Sequence, residues 1–208
     1  LRSNTAQSNT AVGYCALADN TTGATNTAVG ENALHQNTTG SCNVALGRQA
    51  MFENETGNCN IAIGNNALIC HCSGNGNIAI GRRALNNDCT GASNTVIGTD
   101  AMCSNTSGCL NTAVGTYALK CNTSSCSSTA IGYNSLTVNT GPSNTAVGKD
   151  SLESNTSGNN NTAVGADALA ANTTACHNVA IGKSSLAANT VGCNNTAVGS
   201  STLYCNIT

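Results

Sequence analysis

Apolar residues recur along this chain in short alternating triplets, not in the i, i+3, i+4 spacing of a helix. Each triplet runs β-branched, small, aliphatic, as in Thr10-Ala11-Val12, Val44-Ala45-Leu46 and Ile61-Ala62-Ile63, the centre being alanine in eleven of twelve and Val96 in the other, and each is followed by glycine. The glycines Gly13, Gly30, Gly47, Gly64, Gly81, Gly98, Gly115, Gly132, Gly148, Gly165, Gly182 and Gly199 advance by 17 residues, with one step of 16 between Gly132 and Gly148. Counting from each glycine, position 4 is always Leu or Met, from Leu17, Leu34 and Met51 to Leu203. Alternation with a period of two is a strand's signature, and 17 residues is too short a repeat for the helix pairs of most helical arrays. The pattern predicts an all-β, single-chain parallel β-solenoid of about 12 rungs of 17 residues, with residues 1–208 forming one domain.

The glycine closing each triplet suits a corner that needs positive φ, and a second glycine at position 10 (Gly23, Gly40, Gly57, Gly74, Gly91, Gly108, Gly158, Gly192) marks another. Two short strands per rung are expected. Rungs about 4.8 Å apart give a rod on the order of 58 Å and bury in a column what one rung cannot bury alone. We expect the β-branched, aliphatic and position-4 residues to face inward, leaving the triplet alanines and Ala16, Ala33 and Ala50 outside. The inverse orientation would expose an aliphatic stripe to lateral partners. Asn9, Asn26, Asn43, Asn60, Asn77, Asn94, Asn111, Asn144, Asn161, Asn178 and Asn195 open eleven triplets, with Ser128 opening the other, and stacked carboxamides of this kind bond along the rod.

Composition narrows the class. Charged residues make up 8% of the chain and net charge is −2, while 22 glycines, one proline and no tryptophan set it apart from an ordinary globular domain. Nine of the sixteen charges fall at positions 1 and 2 (Glu31, Arg48, Arg82, Arg83, Asp100, Lys149, Asp150, Asp167, Lys183), a corner of mixed sign expected to be solvated and unlike a basic nucleic-acid stripe. No apolar run is long enough to span a membrane. His35, His71 and His177 lack a recurring carboxylate or nucleophile partner, so neither an enzyme nor a cofactor site is expected.

The thirteen cysteines come into register on the repeat: Cys42 with Cys59 at position 12, Cys72 with Cys89 at position 8, and Cys109 with Cys126 and Cys176 with Cys193 at position 11. Cys103 and Cys121 form a looser fifth pair, and Cys15, Cys70 and Cys205 are left over. Stacked neighbours fall within the Cα separation of a disulfide, which predicts inter-rung staples and an oxidising, extracellular setting. Cys70-His71-Cys72 near Cys89 is a disulfide beside an incidental histidine in this reading, not a zinc site, and no metal is expected. Asn20, Asn37, Asn54, Asn105, Asn122, Asn155, Asn172 and Asn206 begin N-x-[ST] triplets at position 7, and Asn160 and Asn194 begin two more near position 12. N-glycans are expected at several of them, although Asn-Thr-Thr-Gly is also good turn chemistry.

The unit N-T-A-V-G-x-x-A-L-x-x-N-T-T-G resembles repeats in phage, viral and microbial tail-fibre-like proteins. N-T-A-V-G is also similar to the N-S-V-A-I-G pattern of trimeric autotransporter adhesin heads. The resemblance covers essentially the whole chain and implies a left-handed parallel β-roll and surface adhesion. The unit here is longer, and it adds regular cysteines and sequons that those heads lack, which fits an extracellular glycoprotein fibre. The chain opens at Leu1 in the position-4 slot and stops within a rung at Thr208, and Asn4–Gly13 matches the shortened rung Asn139–Gly148. Uncapped edges predict head-to-tail stacking into a filament.

The expected function is therefore a non-catalytic subunit of an extracellular filament, with itself and covalent glycans as partners. A host- or surface-binding shaft of a tail fibre or trimeric adhesin is the alternative. Ice binding, through the threonines at positions 8 and 9 (Thr21-Thr22, Thr38-Thr39, Thr173-Thr174), is a minor third.

Overall fold

The computed structural model describes residues 4–207, so Leu1 and Thr208 lie outside the described residues. It is a parallel β-solenoid of about 11 turns without a helix, built on one sheet of twelve three-residue strands, β1 (Thr10–Val12) to β12 (Thr196–Val198), stacked in sequence order. Equivalent residues pair directly, Ala11 with Ala28 and Ala28 with Ala45, and the register is kept through the short rung, where Ala130 pairs with Ala146.

Each rung carries one strand, not the two expected, because the remainder is bent by residues in the left-handed region. Positions 2, 4 and 12 all have positive φ, as at Asn32 (55°), Leu34 (51°) and Cys42 (61°). An L-residue held there costs roughly 1–2 kcal/mol. At position 4 that cost is offset by full burial of the Leu or Met, about 1.5–3 kcal/mol, in every rung but the last, where Leu203 is half exposed. The bends still bond rung to rung: Leu34 N donates to Ala50 O at 2.9 Å, and Gln36 N donates to Phe52 O at 2.9 Å. The closing glycine is required twice over. Gly30 has φ of 135°, and a Cβ there would stand 2.6 Å from Gly47 O. At position 10 only the second reason applies, since Gly40 has no positive φ but a Cβ would collide with Gly57 O and with the Asn37 side chain.

Which face of the triplet points inward is the inverse of the expectation. The central alanines Ala28, Ala45 and Ala62, together with Val96, are fully buried, as are the position-3 alanines Ala33 and Ala50. The flanking β-branched and aliphatic residues look outward, with Val12 at 58% and Val198 at 65% exposure at the two ends of the sheet. Sterics decide this: the position-4 Leu/Met column already fills much of the interior of a narrow coil, and a small side chain packs opposite it, Val96 being the largest in the column. Leu17, Leu34 and Met51 are buried as expected, and Ala16, expected outside, is 5% exposed.

Candidate functional site

Two columns of carboxamides complete the interior. In the column that opens the triplets, Oδ1 of one asparagine accepts from the backbone N of the next. Asn43 N donates to Asn26 Oδ1 at 2.9 Å, while Asn43 Nδ2 donates to Gly57 O at 2.7 Å. The expected ladder is there, but it joins side chain to main chain; direct amide–amide bonds are added at only a few steps, such as Asn94 Nδ2 to Asn77 Oδ1 at 3.1 Å. Ser128 keeps the column intact, since its N donates to Asn111 Oδ1 at 2.9 Å and its Oγ accepts from Asn144 N at 3.3 Å.

The second column is the position-7 asparagines, and it is the amide–amide ladder proper. Asn37 Nδ2 donates to Asn20 Oδ1 at 2.6 Å and to Gly40 O at 2.9 Å, and the pattern recurs at Asn54, Asn122, Asn155 and Asn172. Sequence reasoning had placed these residues on a wet corner as glycan acceptors. The structure puts Asn20, Asn37, Asn54, Asn105, Asn122, Asn155 and Asn172 at zero exposure, and a glycan on such a carboxamide has no room in the folded coil. Asn206 is half-buried, its Nδ2 3.4 Å from Asn189 Oδ1. Of the ten, only Asn160 and Asn194 are exposed. A usable signal was present: Asn139 and Asn189 keep the asparagine where the sequon is lost, as a ladder requires and a glycan does not.

His71 and Asp88 occupy successive rungs of this column, both fully buried, with His71 Nδ1 3.4 Å from Asp88 Oδ2. Nδ1 also lies 3.2 Å from the Asp88 carbonyl, and Nε2 lies 2.8 Å from Gly74 O. Both ring nitrogens face acceptors, a set the imidazole fills completely only when both carry hydrogen. Below the pair, the buried Asn54 Oδ1 has no partner, since a ring stands where the next carboxamide would donate.

The sulfur pairs fare unequally. All thirteen cysteines are free thiols in this structure. Cys72 and Cys89 bring Sγ atoms to 2.6 Å, Cys109 and Cys126 to 2.7 Å, and Cys193 Sγ lies 3.1 Å from Cys176 N. Hydrogen bonding to Cys89, then burial, push the Cys72 thiol up to about 12; the Cys126 contact, then burial, raise Cys109, and burial followed by Glu53 raises Cys70. Cys42 and Cys59 share an exposed corner. Cys103 and Cys121 are not brought together: Cys103 is buried with Sγ 3.9 Å from Lys120 O, and Cys121 is exposed. Among the described residues no group of three or more His, Cys, Asp or Glu is arranged to hold a metal.

The charged corner is partly cross-linked. Arg82 and Arg83 reach Asp100 at 2.8 and 3.4 Å, and Glu31 meets Arg48 at 3.5 Å. Asp100, expected to be solvated, is buried, because the two guanidiniums close over it. The threonine hydroxyls at position 8 donate along the rod, Thr21 Oγ1 to Thr38 O at 2.8 Å and Thr38 Oγ1 to Glu55 O at 2.8 Å, so they are engaged by the coil itself. A shallow open depression of about 420 Å³ lies over Glu153, Asp167, Ala170 and Tyr204. No helix among the described residues is long and apolar enough to cross a membrane. Comparison with protein-family models, with curated proteins and with solved structures finds no match.

Proposed function

We propose that this chain is a non-catalytic rod: a structural segment of an extracellular fibre, extended by stacking rung upon rung. The observation that supports this best is the unbroken in-register sheet from β1 to β12, in which the upper surface of every rung matches the lower surface of the next. A surface that repeats in this way is complementary head to tail, and a heterologous contact of that kind makes open filaments when its rotation does not close. The Cys72–Cys89 and Cys109–Cys126 contacts are the sites where oxidation would staple neighbouring rungs in a secreted protein. Sugar in this reading is confined to the exposed Asn160 and Asn194.

Electron microscopy of the purified chain at rising concentration tests the proposal. Rods of constant width and growing length are expected, and uniform short rods that never join end to end would overturn it. The outward aliphatic stripe favours a second reading, the shaft of a surface-binding tail fibre or adhesin, for which a discrete trimer in solution is the mark.

A further inference from the structure

The outward face of the sheet is only partly covered by the coil. Its two columns, positions −3 and −1 of every rung, comprise 24 side chains, all of them Thr, Val, Ile or Leu and none charged. In β3 (Val44–Leu46), β4 (Ile61–Ile63) and β5 (Ile78–Ile80) both columns are aliphatic, which makes a belt three rungs deep. Charge returns at the rim: position 1, just past the glycine, carries Glu31, Arg48, Arg82, Lys149 and Lys183, whereas position 12 on the other rim carries no Asp, Glu, Lys or Arg.

We infer that this face is the docking surface for a second copy of the chain, with the two rods side by side, parallel and face to face. Eleven strand spacings of about 4.8 Å and two columns about 7 Å apart, widened by their side chains to about 13 Å, give roughly 700 Å² per copy. That is about 9% of the 8112 Å² accessible surface, and it is close to the ~800 Å² per partner of a standard stable interface. A single aliphatic face accommodates one partner, since a ring of three needs two contact faces on each copy. An uncharged centre inside a charged rim is also the anatomy of a stable interface.

The belt fixes the direction. With the two-fold axis along the rod, every rung faces its own equivalent and strand direction is reversed, so Ile63 meets the second copy's Ile61 and Leu46 its Val44. The charged rim then lies against the neutral one. With antiparallel rods the belt would meet the threonine side of β8 (Thr129–Ile131) to β10 (Thr162–Val164) instead, and like rims would face each other.

The test is mass in solution, by sedimentation equilibrium over 1–100 μM protein (a range of order Kd for typical dimers). The wild-type chain is expected at about 41 kDa, twice its 20.6 kDa, and at multiples of that mass where paired rods also join end to end. I63E/I80E places charge on the face without touching the interior. It is expected to keep the wild-type circular dichroism and melting curve while raising the dimer Kd at least ~100-fold, in line with the cost of burying unpaired charge. Ser107→Glu, on an exposed corner away from the face, should leave the dimer intact. Mixing the I61K chain with the I63E chain should recover pairing at least ~10-fold over either alone, because only parallel rods set these positions opposite each other. A wild-type monomer at the highest concentration, with or without thermal hysteresis, would overturn the inference. So would a trimer, a ladder of masses that includes odd multiples of the monomer, a folded I63E/I80E that stays paired, or no recovery on mixing.

Discussion

Replacing His71 with Asn should damage the rod more than replacing His71 and Asp88 together. The ring and the carboxylate stack at zero exposure, with 3.4 Å between Nδ1 and Oδ2, and Asp88 Oδ2 has no hydrogen-bond partner of its own. Removing one member of a buried pair costs about 3–5 kcal/mol, because the other is left as an uncompensated charge. H71N is therefore expected to be destabilised by about that amount, leaving Asp88 held only by Asn105 Nδ2. D88N should cost less, about 1–2 kcal/mol, because a neutral imidazole can accept from the new carboxamide. H71N/D88N recreates the amide-on-amide step seen between Asn37 and Asn20 at 2.6 Å, and it also gives the orphaned Asn54 Oδ1 a donor. The double variant should match the wild type within about 1 kcal/mol or exceed it, so the coupling in the double-mutant cycle should reach at least ~2 kcal/mol.

Denaturant titration gives the global values. A repeat array need not unfold in one step, so amide hydrogen exchange over residues 54–105 supplies the local reading. If H71N melts together with H71N/D88N, Asp88 is not a charge balanced by the ring and the hydrogen-bond accounting given for this column is wrong.

Gly64→Ala should cost at least ~3 kcal/mol, strain plus collision, since φ is 133° and the new Cβ would stand 2.7 Å from Gly81 O. Gly199→Ala, whose Cβ would meet only Thr202 Cγ2 at 3.2 Å, should cost about 1–2 kcal/mol; equal losses in thermal melts would refute the stacking argument. Asn172→Ala strips partners from the Asn155 Oδ1 below and the Asn189 Nδ2 above and should cost about 1–3 kcal/mol in protein made without glycosylation, whereas a position serving only as a sugar acceptor would show no loss. In the reduced protein the Cys72 thiol is raised from 9 to about 12 in the fold, so the unfolded chain releases its proton first. Its contribution to stability is full below pH 9 and is lost as pH climbs toward about 12; C72S should flatten that alkaline limb in denaturant melts, and an unchanged slope would refute the assignment.

The repeat, its register and the Leu/Met column could be read from the sequence because a 17-residue period converts directly into stacked equivalents. The match between Asn4–Gly13 and Asn139–Gly148 also has a structural counterpart: Asn20 Nδ2 bonds Asn4 Oδ1 at 2.7 Å and Asn155 Nδ2 bonds Asn139 Oδ1 at 2.6 Å, both across a 16-residue step. Orientation was not readable, since a triplet such as Ile61-Ala62-Ile63 presents an apolar residue on either face and hydrophobicity alone favours burying the larger pair. Volume overrules it, because the Leu68 column leaves room opposite it for a small side chain, Val96 being the largest it holds. The position-7 asparagines were misplaced for a related reason. Asn-Thr-Thr-Gly is a turn on local chemistry, and nothing local reveals that the turn folds its carboxamide inward to pair with the rung below.

The interior that results is as much amide as hydrocarbon, and that governs where variation is tolerated. An apolar column accepts any residue of the right size, but a carboxamide in a ladder needs a carboxamide, or a partner such as Ser128, both above and below. The inner columns are thereby tied to their equivalents along the whole rod, and a change in one rung is felt in two others. The outer columns of the sheet carry no such tie, since Thr27, Val44 and Ile61 occupy one column and make the same backbone ladder. Stacking with their neighbours covers Val44, Ile61 and Ile78 only in part, so three successive rungs that replace threonine with aliphatic residues leave hydrocarbon facing solvent in the isolated coil. Such a belt gains stability only when something apolar covers it, and a second belt of the same dimensions, one rod over, is the surface that fits.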